Sequence, residues 1–293
     1  MRLLTTTVTP ADAGKKLKYL LRSRWQISSS LLKSLKWRQN AILVNGVPAP
    51  VSTLLREGDV VTVDVSDAAP LSGHIVPVDA PLDVLYEDED LLILNKSAGV
   101  AVHSAALTEE TVTVAGAVAH YLNGAPFHPV NRLDRGVTGV MVAAKSGYIH
   151  HRCMALLHTD DFRREYRGVC LGTPSPSAGV IDLPVGRDPD SLLKRRIDPA
   201  GLPARTEYQV LETGSGRSLL RLRPLTGRTH QLRLHCAAVG HPLLGDWLYG
   251  SEDRSLIARP ALHSFERWLR HPLSGAMIHV TAPLPEDMKR LLP

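Results

Sequence analysis

Short apolar segments follow one another along most of the chain with few helical segments between them, and this order constrains the fold more than any other feature. Strand-like spacing occurs in five segments: Leu82–Tyr86, Leu91–Leu94, Tyr166–Leu171, Thr206–Glu212 and Ser218–Arg223. Between the first and the last of them, two segments have helical spacing, Thr111–Leu122 and Tyr148–Leu157. A parallel sheet needs a long crossover, usually a helix, between paired strands. The sequence therefore predicts an α+β fold with a mixed, largely antiparallel sheet.

Charge and cysteine content bear on the partner and the compartment. The 293 residues carry a net charge of +5 and have a pI near 9.2, which favours a polyanionic partner such as nucleic acid. The three cysteines, Cys153, Cys170 and Cys236, form no CxxC pair, so neither a disulfide framework nor a zinc module is indicated. The N-terminal segment is unlike a signal peptide, and no segment approaches the roughly 18 apolar residues of a membrane span. We expect a cytoplasmic protein without a membrane partner.

Two basic helices are predicted near the N-terminus. Leucines recur at helical spacing between Ala11 and Arg24, and Ser28–Ser30 offer N-caps for a second helix. The segment from Lys15 to Arg38 has no acidic residue and carries eight cations: Lys15, Lys16, Lys18, Arg22, Arg24, Lys33, Lys36 and Arg38. Such a run is either a solvated helix face or a phosphate-binding surface, and the lack of alternating acids favours the second.

A small hairpin follows the helix pair. The segment AILVNGV at Ala41–Val47 contains the tight-turn signal Asn45-Gly46, and Gly58-Asp59 precedes the strand Val60–Val65. The order helix, helix, ILVNG, EGD and VVTVDV resembles the S4 RNA-binding domain, which implies that the helix pair contacts RNA. The chain is thus predicted to have three parts: an S4-like αα-β domain at residues 1–66, a linker rich in Asp, Ala, Pro and Gly at 67–81, and a second domain at 82–293.

The segment His128–Ala144, HPVNRLDRGVTGVMVAA, places one carboxylate between two cations. Asp134 has Arg132 and Arg135 close on either side and precedes the apolar run Val140–Ala144. This order predicts a loop that enters a buried strand and holds the carboxylate at its entrance. Taken alone, the cluster is either a surface ion pair, which contributes about 0 to 1 kcal/mol, or a catalytic site.

Two further segments concentrate basic residues. Arg187–Arg205, with cations among Pro, Asp and Gly, is predicted to be a long loop that is either disordered or grips RNA. In Thr226–Gly250, Gly227 precedes a helix predicted to open near Thr229, where backbone N–H groups favour an anion. In that helix, Thr229 and Arg233 would share one face. The histidines of this segment lack the spacing of metal ligands, so no metal site is predicted.

Three ordered motifs resemble those of the RluA family of RNA pseudouridine synthases. They are RLDRGVTG at Arg132–Gly139, REYRGVCLG around Tyr166, and TGRTHQLRLH at Thr226–His235, followed by GD and YG. The resemblance extends from about Leu82 to Val280 and implies a catalytic domain of pseudouridine synthase type. An S4-like front end is the arrangement seen in family members that modify ribosomal RNA.

The chain departs from the family's motifs at three points. Asn131 stands where the family usually has His before RLD, Val137 begins a V-T-G where it has T-S-G, and Ser97 follows Lys96 where it has Pro. None of these changes removes the carboxylate, the tyrosine or the arginine of the motifs. We expect them to affect loop packing and base expulsion more than the reaction.

The resemblance implies roles for individual residues. Asp134 would be the catalytic carboxylate, acting on the anomeric carbon as a nucleophile or on a sugar proton as a base. Arg233, with Arg228 as second choice, would keep it ionised. Tyr166 would stack on the target base and assist proton transfer. No cofactor is implied. The residues expected to bind RNA are Arg132 (beside the flipped-out nucleotide), Arg228, His230, Lys96, His103, Lys33 and Lys36.

The sequence leaves two other classes of function open. A non-catalytic RNA-binding or ribosome-assembly factor would use the same basic surfaces, although it would not need a carboxylate beside a polyanion. A glycosidase would need a second acid, and Glu165 is the nearest candidate. Glu165 neighbours Tyr166 on a predicted strand, so the two should face opposite sides. The favoured prediction is a monomeric enzyme that isomerises uridines of structured RNA, large-subunit ribosomal RNA before transfer RNA.

Overall fold

The computed structural model describes residues 2–67, 75–103, 112–157 and 159–292. Within these ranges the strands form a four-stranded, a ten-stranded and a two-stranded sheet. The N-terminal unit supplies the four-stranded sheet and two helices: β1 (Leu3–Thr7), α1 (Leu17–Ser23), α2 (Ser29–Leu35), β2 (Ile42–Val44), β3 (Val47–Pro48) and β4 (Val60–Asp64).

The helix pair and the sheet of the N-terminal unit share one hydrophobic core, to which both helices contribute leucines and β4 contributes valines. The hydroxyl of Ser28 accepts a hydrogen bond from the Leu31 N–H and caps α2, as the sequence predicts. Two features differ from the prediction. The first helix begins at Leu17 rather than near Ala11, because Gly14 has a φ of +77° and donates its N–H to a neighbouring loop. Strand β1, which was not predicted, pairs antiparallel with β4.

The rest of the chain builds the large sheet and its covering helices. Its elements are β5 (Val84–Glu87), β6 (Leu91–Lys96), α3 (Val114–Tyr121), β7 (His128–Pro129), β8 (Thr138–Ala144), α4 (Gly147–Met154), β9 (Phe162–Leu171), β10 (Ala178–Asp182), β11 (Val185–Arg187), β12 (Arg195–Ile197), β13 (Arg205–Gly214), β14 (Arg217–Pro224), α5 (Gln231–Ala238), β15 (Leu262–Arg270), β16 (Met277–Thr281) and α6 (Glu286–Lys289).

The ten-stranded sheet has the order β10-β13-β14-β9-β15-β8-β6-β5, with β16 added to β15 and β7 added to β8. Among its described pairs, only β8 with β15 is parallel. The predicted mixed, largely antiparallel α+β architecture is confirmed.

The two faces of this sheet bury different cores, because neighbouring residues of a strand point to opposite sides. In β6, Leu91 and Ile93 join a core that also holds α4 and the N-terminal unit. Leu92 and Leu94 join the opposite core, which holds α3, α5 and Tyr166. The side of the sheet that carries Tyr166 is therefore the side on which α5 lies.

Residues Arg187–Arg205 are not the long loop that the sequence predicts. Strands β11 and β12 pair antiparallel with Arg187 opposite Arg195 and form a separate two-stranded sheet. Each strand has only three residues, so no alternation of apolar and polar residues is visible in the sequence.

The helices that cover the sheet are shorter than predicted. Helix α3 starts at Val114, where the hydroxyl of Thr113 accepts the Gly116 N–H, and Thr111 of the predicted helix lies outside the described residues. Helix α4 ends at Met154 rather than at Leu157. In the described ranges, no helix is long and apolar enough to cross a membrane.

Polar contacts join the N-terminal unit to the large sheet. The Arg2 guanidinium donates to both carboxylate oxygens of the buried Asp90, over 2.8 and 2.7 Å. The Tyr148 hydroxyl donates to the carbonyl of Trp25 over 2.7 Å. Residues 68–74 of the predicted linker lie outside the described residues, and the domain boundaries stay predictions.

Candidate active site

Asp134 lies in the loop that leads from β7 into β8. The turn closes where the Val137 N–H donates to the Asp134 carbonyl over 3.0 Å, and β8 begins at the next residue. Every residue of β8 is buried, whereas the Asp134 side chain is 31% exposed. Gly139 allows this strand to pass β15, since a Cβ atom at its position would stand 2.1 Å from the Ser264 carbonyl oxygen. The carboxylate therefore stands at the entrance of a buried strand, as predicted.

The three departures from the family motifs lie in contacts that shape this loop. The Asn131 side-chain oxygen accepts the Val142 N–H over 2.8 Å, which holds the loop against β8. Val137 is 2% exposed and belongs to the core beneath the cleft. The Ser97 carbonyl accepts a hydrogen bond from the Lys96 ammonium. The side chains of Asn131 and Val137 thus take part in packing the loop, whereas the contact of Ser97 is made by its backbone. The effect of the three departures on packing and base expulsion stays a prediction.

Arg233, on α5, holds the carboxylate of Asp134. Its Nη1 donates to Asp134 Oδ2 over 3.2 Å, and its Nε and Nη2 donate to the two oxygens of Asp246 over 2.8 and 2.7 Å. Burial alone would lower the pKa of Arg233, but hydrogen bonds from the guanidinium to Asp246 and the charges of both carboxylates outweigh burial and raise it. The guanidinium therefore stays charged beside Asp134.

Asp246 is a buried partner of Arg233 that the sequence analysis does not predict. It is 0% exposed, and besides Arg233 it accepts the N–H groups of Leu248 and Tyr249. A buried charge needs such a set of partners to offset its loss of hydration. The GD pair that follows the third motif is the sequence signal that could have identified it.

His230 faces the same carboxylate oxygen from the other side. Its Nε2 lies 3.6 Å from Asp134 Oδ2, and its Nδ1 lies 2.9 Å from the Tyr249 hydroxyl. Burial lowers the pKa of His230, and the charges of Arg233 and Arg195 lower it further against the opposing carboxylates. The imidazole is therefore neutral at pH 7. Tyr249, in the YG pair after the third motif, is likewise not among the site residues that the sequence predicts.

Tyr166, on β9, lies on the wall of the cleft and is 8% exposed. Arg164, two residues before it, lines the same wall and donates to the carbonyls of Pro224 and Thr226 over 3.2 Å each. Glu165, between them, instead pairs with Arg167. Neighbouring residues of a strand alternate in direction, so Glu165 faces away from the cleft as predicted.

The cleft between these elements has a volume of about 1000 Å³. Such a volume lies at the upper end of the range for small-molecule sites, roughly 300 to 1000 Å³. Among its described lining residues, Asp134 is the one acidic side chain. Five arginines line it: Arg132, Arg164, Arg195, Arg228 and Arg233. A single carboxylate thus stands in a cavity whose other charges attract anions.

The turn before α5 differs from the prediction. The helix begins at Gln231, whose side-chain oxygen accepts the Arg228 N–H over 3.0 Å, so Thr229 precedes the helix and shares no helical face with Arg233. The Arg228 guanidinium donates to the Pro203 carbonyl over 3.0 Å. Of the two candidate arginines, Arg233 is therefore the one that donates a hydrogen bond to Asp134.

Lys96 and His103 were both expected to line the cleft. His103 does so, packed at 5.5 Å between ring centres against Phe127. Lys96 is 4% exposed and turns its ammonium inward, where it donates to the carbonyls of Ser97, Val100 and Arg135. Burial lowers the pKa of Lys96 to about 8, although the charge of Asp134 opposes the shift. Lys96 lines a neighbouring cavity and ties two loops of the site together.

The remaining candidates lie outside the cleft. Lys33 and Lys36 are exposed, on α2 and at its C-terminal end. His235 is bonded to Thr206 and to the Leu183 carbonyl, so it does not converge with His230. In the described parts of the chain, no group of three metal-ligating side chains occurs.

Comparison with known proteins agrees with this geometry. A family model described as RNA pseudouridylate synthase matches residues 90–238. The uncharacterized RNA pseudouridine synthase YjbO of Bacillus subtilis is 35% identical over 269 residues, covering 91% of this chain and 94% of its own. The ribosomal large subunit pseudouridine synthase D of Escherichia coli K12 is 34% identical over 311 residues, covering 99% and 93%. A structure of human RNA pseudouridylate synthase domain containing 4 is similar with a TM-score of 0.57 and 27% identity, over 71% of this chain and 90% of that one.

Proposed function

This chain belongs to the RluA family of RNA pseudouridine synthases, and we propose that it isomerises uridines of large-subunit ribosomal RNA with Asp134 as the catalytic carboxylate. The family membership makes it an enzyme that acts on RNA, so a purely RNA-holding factor is excluded. The ribosomal substrate is supported by relatives named for the ribosomal large subunit, which match along almost the whole chain.

One observation carries the assignment of Asp134. It is the one acidic group among the described residues of a cleft lined by five arginines, and a buried arginine binds it. A surface that only held RNA would gain nothing from an anion at this position, because a carboxylate repels phosphate. A carboxylate that reacts at the sugar, by contrast, needs cations nearby to bind the phosphates and to keep it ionised.

The contacts of Asp134 distinguish its two oxygens. Arg233 and His230 both approach Oδ2, and no hydrogen bond to Oδ1 occurs among the described residues. Oδ1 is therefore the oxygen that meets the ribose. As the bond between C1′ and N1 breaks, its electron pair leaves with uracil. Oδ1 then either bonds to C1′ or takes the proton of C2′, and both first steps suit this geometry.

Tyr166 acts on the base after this cleavage. Its ring forms a flat wall on which uracil stacks as it turns to present C5. The bond from C5 to C1′ then forms as the bond from C1′ to Oδ1 breaks, or as Oδ1 returns its proton to C2′. The proton on C5 must then leave, and N1 gains a proton. Arg267 is fully buried behind this wall, where burial lowers its pKa and the phenol of Tyr166 opposes that shift. The Tyr166 hydroxyl is the group that we propose receives the C5 proton.

The RNA must deliver one nucleotide into this cleft. Extruding it costs a few kcal/mol of stacking and pairing, and the exposed Arg132 stands next to the site to fill the vacated space or hold a phosphate. The S4-like unit with Lys33 and Lys36 would hold the RNA further away. The proposal includes a monomeric enzyme that acts in the cytoplasm, where its ribosomal substrate is made.

The decisive test replaces Asp134→Asn. RNA transcripts labelled with tritium at uridine C5 release it when pseudouridine forms, and the wild type should release it from a large-subunit ribosomal transcript while the variant releases none. The matched control is Asp161→Asn, since Asp161 also pairs with an arginine, Arg270 at 2.8 Å, but does not line the cleft. Full activity of Asp134→Asn would refute the assignment. Release only from transfer RNA would refute the ribosomal substrate and leave the chemistry intact.

A further inference from the structure

We propose that His230 and Tyr249 are positioning residues of this reaction: Tyr249 fixes the tautomer of His230, and His230 directs Asp134 so that Oδ1 faces the ribose. The proposal rests on the assignment of Asp134 as the catalytic carboxylate. It replaces the expectation that His230 binds RNA, because the side chain of His230 is 15% exposed and turned toward Asp134.

The direction of each hydrogen bond follows from its donors. The Arg195 backbone N–H can only donate, so the Tyr249 oxygen accepts it over 2.8 Å. We assign the Tyr249 hydroxyl proton to Nδ1 of His230 over 2.9 Å, because this nitrogen is the one acceptor within reach of the hydroxyl among the described residues. A neutral imidazole that accepts at Nδ1 carries its proton on Nε2. That N–H faces Asp134 Oδ2 across 3.6 Å, a distance that closes to a hydrogen bond when substrate orders the site.

The surroundings of His230 keep it neutral. It is faced by Asp134 from the catalytic loop, Arg233 from its own helix, Asp246 and Tyr249 from the segment after that helix, and Arg195 from β12. The charges of the two carboxylates raise the pKa of His230 and those of the two arginines lower it, while burial lowers it further and so favours the neutral imidazole. An imidazolium would also need Tyr249 to accept a second N–H, which would turn its own proton away from the chain of bonds.

The backbone conformation of His230 places its ring beside Asp134 and does not continue the helix. Its φ of 57° and ψ of 15° lie in the left-handed region, which is uncommon for residues other than glycine and is retained where the surroundings fix it. His230 stands at the N-cap position, yet its side chain caps nothing, and Gln231 takes the turn's N–H instead. This conformation leaves the ring free to stand between Asp134 and Tyr249.

Tyr249→Phe tests the proposal with little risk to the fold. Only the hydroxyl is lost. The ring centre stays 5.7 Å from the ring centre of His230 and 5.4 Å from Cζ of Arg233. The hydroxyl's bonds to His230 and to the Arg195 N–H are both lost. Because only the bond to His230 leads to Asp134, we expect the single-turnover rate at saturating RNA to fall by about 3- to 10-fold, the effect of losing that one hydrogen bond, with KM for RNA nearly unchanged.

The pH profile separates positioning from a structural role. Without the Tyr249 hydroxyl, Nδ1 is free to bind a proton and Asp134 favours the imidazolium, so the pKa of His230 rises. The imidazolium competes for Asp134, and the acidic limb of the rate profile should move to higher pH in Tyr249→Phe. His230→Asn, which keeps an amide donor and tolerates the left-handed backbone, should retain more activity than His230→Ala.

The matched control is Tyr208→Phe. The hydroxyl of Tyr208 donates to the Pro176 carbonyl over 3.0 Å, and Tyr208 does not line the cleft. Its rate and pH profile should equal the wild type's. The proposal is overturned if Tyr249→Phe keeps both its rate and its acidic limb, or if it loses RNA affinity at an unchanged saturated rate. Full activity of Asp134→Asn would instead overturn the proposed role of Asp134, and this inference with it.

Discussion

The cleft and the N-terminal helix pair are both rich in cations, but Arg233 of the cleft is buried and paired, whereas Lys33 and Lys36 of the helix pair are exposed. In the cleft, Arg233 is 6% exposed and shares three hydrogen bonds with two carboxylates. On the helix pair, Lys33 and Lys36 are exposed and form no ion pair with any described residue. Buried cations are fixed in place and can orient a reacting group, whereas exposed ones act at a distance on a polyanion. Side chains of the same charge thus position a reacting group in one region and attract RNA in the other.

The strongest test of this contrast removes the buried cation. Arg233→Met should abolish activity and lower the free energy of unfolding by about 3 to 5 kcal/mol, because Asp246 is left buried and unpaired. The double variant Arg233→Met with Asp246→Leu should regain most of that stability without regaining activity. Denaturant unfolding and tritium release measure the two effects. Recovery of activity in the double variant would contradict the positioning role of Arg233.

A second change keeps the cleft's shape but removes one reacting group. Tyr166→Phe retains a ring for stacking and loses the hydroxyl, so we expect a fall in the saturated rate of roughly 100-fold with RNA affinity nearly unchanged. Tyr166→Leu should also weaken binding of the flipped base. Equal rates for Tyr166→Phe and the wild type would show that the hydroxyl takes no part in proton transfer.

Lys96 lies between the two extremes, since it is buried but held by neutral carbonyls. Because the pKa of Lys96 is lowered to about 8 in the folded chain, against 10.5 for the free side chain, the unfolded state binds more protons between these values. The free energy of unfolding therefore rises with pH through this window, by about 1 to 3 kcal/mol relative to Lys96→Met. Unfolding curves of both proteins at several pH values from 7.5 to 10 measure the difference. Parallel curves would mean that Lys96 titrates normally.

The exposed cations should give the smallest effect. Lys33→Ala with Lys36→Ala should weaken RNA binding at low salt and reduce the slope of log affinity against log salt by about 1.5 to 2, without changing the saturated rate. The control pair is Arg254→Ala with Lys289→Ala, two exposed cations that each pair with a neighbouring glutamate. An unchanged slope in the first pair would argue against RNA contact by the N-terminal unit.

The elements that the sequence predicted well are those with a local signal. The Asn45-Gly46 turn, the Ser28 cap and the alternating strand Ser218–Arg223 each depend on residues that are close in the chain. The β11–β12 hairpin was not predicted, because it pairs two strands of only three residues across a loop and neither strand shows an alternation of apolar and polar residues. The candidate site residues depend on motif resemblance. Asp246 and Tyr249 could not be predicted locally, because Gly-Asp and Tyr-Gly pairs have only the pattern of a turn.

The sequence by itself determined the α+β class, the basic partner-binding character and the candidate Asp134, because periodicity, charge and motif order are properties of the chain alone. Only the tertiary structure decided which cation serves that carboxylate. Arg228 and Arg233 are five positions apart in one motif, but α5 begins at Gln231, so Arg233 is carried into the core and Arg228 stays in the preceding turn. Burial then turns an ordinary ion pair into a fixed one, because a guanidinium removed from water is stable only where carboxylates meet its donors.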